Sequence, residues 1–203
     1  MTNKKVFKPK ILKSEIDELP QKKFPGIIYY IDSPETLKKV LPELNESTAL
    51  GFDTETRPTF KKGLLNKTAL LQLSNSEKAF LFRINKIGLP DELCRILSDP
   101  GILKAGIALH DDLKSLKRIK PFMPAGFVDL QQIVADFGIE DKGLKKLTAN
   151  ILGFKISKRQ QTSNWEREIL DMAQIEYAAT DAWVCHEIFN TLHSIKKING
   201  HGY

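Results

Sequence analysis

Three strand candidates crowd into the first half of the chain: Leu50 to Glu55, Thr68 to Ser74 and Ala79 to Arg83. The last two are separated by Asn75-Ser76-Glu77-Lys78, a polar stretch with turn chemistry, so strand, turn and strand predict an antiparallel meander. Ahead of them, Gly26 leads into the β-branched and aromatic run Ile27-Ile28-Tyr29-Tyr30-Ile31, another strand. Ser33-Pro34-Glu35 then opens a helix, with a serine N-cap and a proline in the first turn. Beyond residue 90 the pattern changes to an alternation of helix and strand. Helices are predicted near Asp91 to Leu97, Asp111 to Ile119, Leu130 to Phe137 and Leu144 to Ile151, with a strand near Ile102 to Ala108. A polar loop over about 155 to 165 precedes a long helix from Asp171 to about Ile195, whose apolar residues form one stripe. Antiparallel strands first and strand-helix units later place the chain in the α/β class, as a mixed β-sheet flanked by helices.

With 203 residues, 41% of them hydrophobic, the chain has the size and apolar content of one folded domain, expected over residues 25 to 198. Residues 1 to 24 carry seven lysines, at positions 4, 5, 8, 10, 13, 22 and 23, with Pro9 and Pro20 interrupting any helical pattern. This segment reads as a flexible basic arm, and an ordinary solvated tail explains it as well as a nucleic-acid contact does. Apolar runs such as Thr68 to Leu73 fall far short of a membrane span, and no signal-peptide stretch opens the chain. A soluble, cytoplasmic protein without a membrane partner is expected. Cys94 and Cys185 form no CxxC pair and neither neighbours a histidine, so they read as free buried thiols rather than a zinc site. The net charge of +6 favours an anionic partner such as nucleic acid, though generic surface charge produces the same figure.

Gly51-Phe52-Asp53-Thr54-Glu55-Thr56 is the most informative segment. Acids at i and i+2 of a strand point to the same face, and apolar flanks make the strand central rather than solvated. Two like charges near an interior are costly unless a cation neutralises them, and an all-oxygen site suits Mg²⁺ or Mn²⁺. Far along the chain, Tyr177 and Asp181 stand at i and i+4 of one helix and stack on one face. Ala178, Ala179 and Ala182 keep that stretch slim, which lets the helix approach the sheet and bring Asp181 towards the strand acids. A simple packing stripe through Ile175, Ala178 and Ala182 is the alternative. A further acid lies in Leu109-His110-Asp111-Asp112-Leu113, at a helix start where capping alone accounts for one aspartate. Asp112 shares a face with Leu116, whereas Asp111 aligns with Ser115 and Arg118 on the wet side, so Asp112 is the candidate and Asp111 a cap or a solvated group.

Taken together, Gly51-Phe52-Asp53-Thr54-Glu55, Leu70-Leu71-Gln72-Leu73-Ser74, the segment around Asp112, and Ser163-Asn164-Trp165 followed by Tyr177-Ala178-Ala179-Thr180-Asp181 resemble the DEDDy exonucleases. That superfamily includes ribonuclease D and the exonuclease domain of the Werner syndrome helicase, and the resemblance runs over roughly residues 27 to 192. It implies a ribonuclease H-like fold and metal-dependent 3′-5′ exonuclease activity on nucleic acid with a free 3′ end, releasing 5′-mononucleotides. By the family's pattern Asp53 bridges two divalent ions, Mg²⁺ or Mn²⁺, Glu55 and Asp181 complete one ion's site, and Asp112 holds the other largely through water. Two such ions stabilise the attacking and leaving oxygens of an in-line displacement and lower the pKa of a bound water. Tyr177 orients the attacking water, a task that suits a phenol better than service as a free base.

Thr54 and His110 are candidates for touching the terminal sugar or phosphate, with ordinary strand and helix-end roles as the alternative. Lys142, Lys145, Lys146, Lys158, Arg159 and Arg167 are candidates for following the incoming phosphate backbone. His186 and His193, seven apart on the last helix, lack acidic partners at ligand spacing and read as packing or surface residues. Ribonuclease D and the Werner protein carry further domains that this sequence does not, which leaves the polymer open; the likeness to the Werner domain tilts it slightly towards DNA. The competing reading is an inactive nucleic-acid-binding module of the same fold, and all five catalytic positions being filled argues against it. A phosphate-loop enzyme is disfavoured because Gly101 to Gly106 lacks the GK[ST] ending and no GxGxxG follows a strand.

Overall fold

A computed structural model describes residues 7–57 and 67–198. In chain order the elements are α1 (Lys13–Glu18), β1 (Ile27–Ile31), α2 (Pro34–Asn45), β2 (Ala49–Thr56), β3 (Thr68–Ser74), β4 (Lys78–Phe82), α3 (Ile84–Ile87), α4 (Asp91–Ser98), β5 (Leu103–Gly106), α5 (His110–Ile119), β6 (Phe127–Asp129), α6 (Leu130–Ile133), α7 (Leu144–Leu147) and α8 (Met172–Ile198). The strands form one sheet in the order β1-β4-β3-β2-β5-β6. β2, β3 and β4 run as the predicted antiparallel meander, while β1 joins β4, β5 joins β2 and β6 joins β5 in parallel. The mixed sheet flanked by helices is therefore present.

Alternation along the strands sorts the two layers. On β2, Leu50 and Phe52 point into a core shared with Leu71, Leu73, Phe80 and Phe82 and covered by Leu37, Val40 and Leu44 of α2 and Leu93 and Leu97 of α4. The opposite face, through Leu70 and Leu81, packs under Tyr177, Ala178 and Ala179 of α8. Gly51 lies beneath that helix so closely that a Cβ there would stand 1.8 Å from the Ala182 carbonyl oxygen. The glycine and the alanines of α8 are thus two halves of one close approach.

Boundaries depart from expectation where secondary structure is short or irregular. The helix expected over 130 to 137 is one α turn, α6, continued by a 3₁₀ turn over Val134–Phe137, and that expected over 144 to 151 passes from α7 into a π turn over Thr148–Leu152. The largest correction concerns the segment 1 to 24, expected as a flexible arm, of which residues 1 to 6 lie outside the described residues. From Phe7 on, the segment packs against the domain: Phe7, Ile11, Ile16 and Phe24 are buried, the Ile11 amide donates to Asp141 at 2.8 Å, and the Phe24 amide donates to the Thr180 hydroxyl at 3.0 Å. The apolar residues between the lysines hold it there, and the lysine count conceals them. No helix among the described residues is long and apolar enough to cross a membrane.

Candidate active site

β2 delivers Asp53 and Glu55 to the face covered by α8, and α8 delivers Asp181 to the same point. One carboxylate oxygen from each lies within 4.8 Å of the others, so three acids from positions 128 residues apart in sequence share one small volume. Asp112 enters from the other side. Ala108, in left-handed backbone at φ 53°, turns the chain from β5 into α5. The half-buried Asp112 on the first turn of α5 then accepts a hydrogen bond from the Thr54 hydroxyl, while Asp111 is exposed. Of the two neighbouring aspartates, Asp112 is thus the one turned inward.

Burial and mutual repulsion dominate the electrostatics. Burial, then the charges of Asp181 and Asp112, raise the Asp53 carboxyl well above the ordinary carboxylate range. Glu55 is pushed up to about 10 by burial and then by Asp53, Asp181 and Asp112. Asp181 is raised to about 7 by burial, against the opposing influence of the Tyr177 hydroxyl and the nearby Lys158. Asp112 is raised by burial, partly offset by the hydrogen bond from Thr54. The Asp181 Oδ1 atom is buried without a hydrogen-bond partner among the described residues. Four acids that resist ionisation side by side, one with an orphaned oxygen, form a set that a divalent cation with oxygen preference satisfies. The residues present therefore fit a bound Mg²⁺ or Mn²⁺.

Tyr177 stands one turn before Asp181, and burial together with the charges of Asp181 and Glu55 keeps its hydroxyl protonated. Its ring packs against the fully buried Trp165, with centroids 6.0 Å apart, so the segment before α8 fixes the phenol's direction. That segment is itself latched: buried Arg83 donates to the carbonyls of Arg167 at 2.5 Å and Glu168 at 3.4 Å, and Arg57, just beyond β2, pairs with Glu166 at 3.4 Å. Arg83 and Trp165 are supports that sequence reasoning alone does not assign. A lone arginine at a strand end carries no local signal, and Trp165 is legible only as part of a familiar string.

Other candidates separate clearly. Thr54 turns its hydroxyl to Asp112, away from the face of Asp53 and Glu55. His110 is exposed at the start of α5, and no hydrogen bond among the described residues ties it to the acids. Of the basic residues, Arg159 lines a cavity shared with Tyr177 and Asp181, and Lys158 is close enough to lower the Asp181 pKa. Lys146 is paired with Asp141 at 2.6 Å and Arg167 with Asp171 at 3.1 Å, while Lys142 precedes α7 and Lys145 lies on it, and neither lines that cavity. His186 is buried and contacts Glu187 and Asn190, and His193 stacks on Phe189. Cys94 and Cys185 are free and buried.

Comparison with known proteins gives these features a context. A family model described as 3′-5′ exonuclease matches residues 28–196. DNA polymerase I of Aquifex aeolicus is 32% identical over 162 residues, covering 79% of this chain and 26% of the polymerase. The bifunctional 3′-5′ exonuclease/ATP-dependent helicase WRN of Mus musculus is 31% identical over 186 residues, covering 87% of this chain and 13% of the helicase. The chain thus spans about a quarter or less of these relatives. Among solved structures, ribonuclease D of Escherichia coli, an exoribonuclease involved in structured RNA processing, superposes with a TM-score of 0.75 at 25% identity over 84% of this chain and 45% of that one. The six-stranded sheet with its flanking helices is accordingly ribonuclease H-like, as the sequence implied.

Proposed function

Because the chain belongs to the DEDDy-type 3′-5′ exonuclease family, we propose that it hydrolyses nucleic acid stepwise from a free 3′ end in a metal-dependent reaction, releasing 5′-mononucleotides. The observation that carries this reading is the meeting of Asp53, Glu55 and Asp181 within 4.8 Å, with Tyr177 a turn away on α8. Asp53, Glu55 and Asp181 would hold one divalent ion, and Asp53 with Asp112 a second. Bound there, such ions neutralise the crowded carboxylates, stabilise charge on the phosphoryl oxygens and lower the pKa of water near the scissile bond.

The chain's own residues do the positioning. Asp53 feels the charges of both Asp181 on α8 and Asp112 on α5, and so serves both sides of the site. Thr54 holds the Asp112 carboxylate in one orientation through its hydroxyl. Tyr177, a protonated phenol, directs a water by hydrogen bonding and does not remove its proton. Lys158 and Arg159 offer positive charge to the strand's phosphates, a contact without sequence preference. DNA is the polymer favoured slightly over RNA: the two curated relatives above are a DNA polymerase and a helicase, while ribonuclease D speaks for RNA. A cytoplasmic setting belongs to the same reading.

The test uses 5′-labelled DNA and RNA, single-stranded and recessed, with Mg²⁺ or Mn²⁺. A ladder of shortened products is expected, abolished by Asp53→Ala. No shortening with either metal, or equal shortening by Asp53→Ala, sinks the proposal.

A further inference from the structure

Residues Gln21 to Lys23 cross the domain beside α8 rather than leaving it. Gln21 bridges to Lys155 as a short parallel pair, with Lys22 N donating to the Lys155 carbonyl at 2.9 Å and Lys155 N donating to the Pro20 carbonyl at 2.9 Å. The strap is then pinned to the very turns of α8 that carry the site. The Phe24 amide donates to Thr180, next to Asp181, and Lys23 Nζ pairs at 2.5 Å with Glu176, next to Tyr177. Phe24 closes the attachment by packing on Trp183, with centroids 6.0 Å apart.

Between this strap and the loop before α8 lies a cavity of about 200 Å³, whose walls include Lys22, Lys23, Arg159, Gln160, Tyr177 and Asp181. Its charges are unevenly matched. Glu176 is neutralised by Lys23. Lys22 Nζ sits 5.0 Å from the Phe154 ring centroid and has no carboxylate partner among the described residues, and the Arg159 guanidinium has no partner among them either. Two cations without a carboxylate partner among the described residues thus line one cavity from segments far apart in sequence, together with Gln160, Tyr177 and Asp181. A monoanionic phosphodiester is the group that such a wall attracts, and the cavity's size suits one sugar-phosphate unit.

We infer that the Gln21–Lys23 strap is part of the substrate site, and that Lys22 and Arg159 together receive a backbone phosphate of the nucleic-acid strand next to Tyr177 and Asp181. This rests on the proposed exonuclease reading and adds a second, sequence-blind anchor to it, supplied by a segment outside the family match, which begins at residue 28. Anchoring here lowers the KM for the strand and contributes little to the chemical step, because neither cation is among the acids at which the reaction occurs.

The experiment compares wild type, Lys22→Gln, Arg159→Gln, their double variant, and a control that removes the same charge, Lys38→Gln/Lys39→Gln, on the exposed side of α2. Trimming kinetics are measured with Mn²⁺. Binding of a 5′-fluorescent single-stranded oligonucleotide, DNA and RNA separately, is measured by anisotropy in EDTA across a salt series. The double variant is expected to raise KM and Kd about tenfold, with kcat within about twofold of wild type. Its salt dependence should flatten by about 0.7 in log-log slope for each phosphate that the protein no longer neutralises. The α2 control is expected to match wild type, and melting curves to overlay. A double variant that behaves like the control, or that loses kcat at constant KM, overturns this inference while leaving the exonuclease reading intact. A wild type that neither trims nor binds overturns both.

Discussion

Thr54 stands between two acids in sequence, yet its side chain belongs to a third. Strand alternation turns it to the face opposite Asp53 and Glu55, where its hydroxyl donates to the Asp112 carboxylate 58 positions further along the chain. Its place in the motif suggests a contact with the terminal nucleotide; period-two geometry turns its hydroxyl to Asp112. Thr54→Val removes one positioning hydrogen bond and keeps the shape, so kcat should fall about tenfold with KM unchanged. Thr54→Ser should restore it; a valine variant with full kcat, or a serine variant that fails to rescue, contradicts the assignment. Asp112 itself is readable from helical phase, because a residue sharing a face with buried Leu116 turns inward and Asp111 does not. The partner that fixes it is not readable, since no local pattern records a contact between a strand and a distant helix start.

At the scale of elements, the site depends on how closely α8 lies on β2. Gly51 is the contact that sets this distance, because a methyl group there would meet the Ala182 carbonyl at 1.8 Å and the His186 amide nitrogen at 2.7 Å, both backbone atoms with no room to give. Gly51→Ala is expected to cost at least about 1–3 kcal/mol and to lift Asp181 away from Asp53 and Glu55. The measurements are a lowered melting midpoint together with weakened Mn²⁺ binding by calorimetry; an unchanged Mn²⁺ affinity would refute the link between helix approach and acid cluster. The small residues of α8 announce this closeness in the sequence, and β3 is legible because Ala69, Leu70, Leu71 and Leu73 make a mainly apolar stretch ahead of a polar turn, all seven of its positions being buried. By contrast β6, three residues long, is too short for any periodicity to register, and it exists because β5 offers it an edge. The π turn over Thr148–Leu152 is likewise a product of packing, since Thr148, Ala149 and Ile151 are buried against their surroundings and helical periodicity alone predicts an unbroken α-helix.

For the whole molecule, the acid cluster sets the pH dependence of stability. An acid whose pKa is higher in the folded state binds more protons folded than unfolded, so stability is greatest below the unfolded pKa and declines as pH rises towards the folded one. For Asp181 that window runs from 3.8 to about 7, and for Glu55 from 4.5 to about 10. In EDTA the protein should melt at a higher temperature at pH 5 than at pH 8, and Mn²⁺ should close the gap at pH 8; equal midpoints in EDTA would contradict the repulsion described. At this scale the sequence is least transparent around residues 7–24. Counting lysines registers solvation, while the burial of Phe7, Ile11, Ile16 and Phe24 is decided by grooves that exist only once the rest has folded.

The acids of the site come from β2, α5 and α8, so the cluster exists only after the last of these has docked. During synthesis, Asp53, Glu55 and Asp112 leave the ribosome well before Tyr177 and Asp181, and a chain that folds from its N-terminal side builds most of its sheet before the acid cluster is complete. Placing Tyr177 and Asp181 on α8 makes the acid cluster the last part of the domain to be completed as the chain is made.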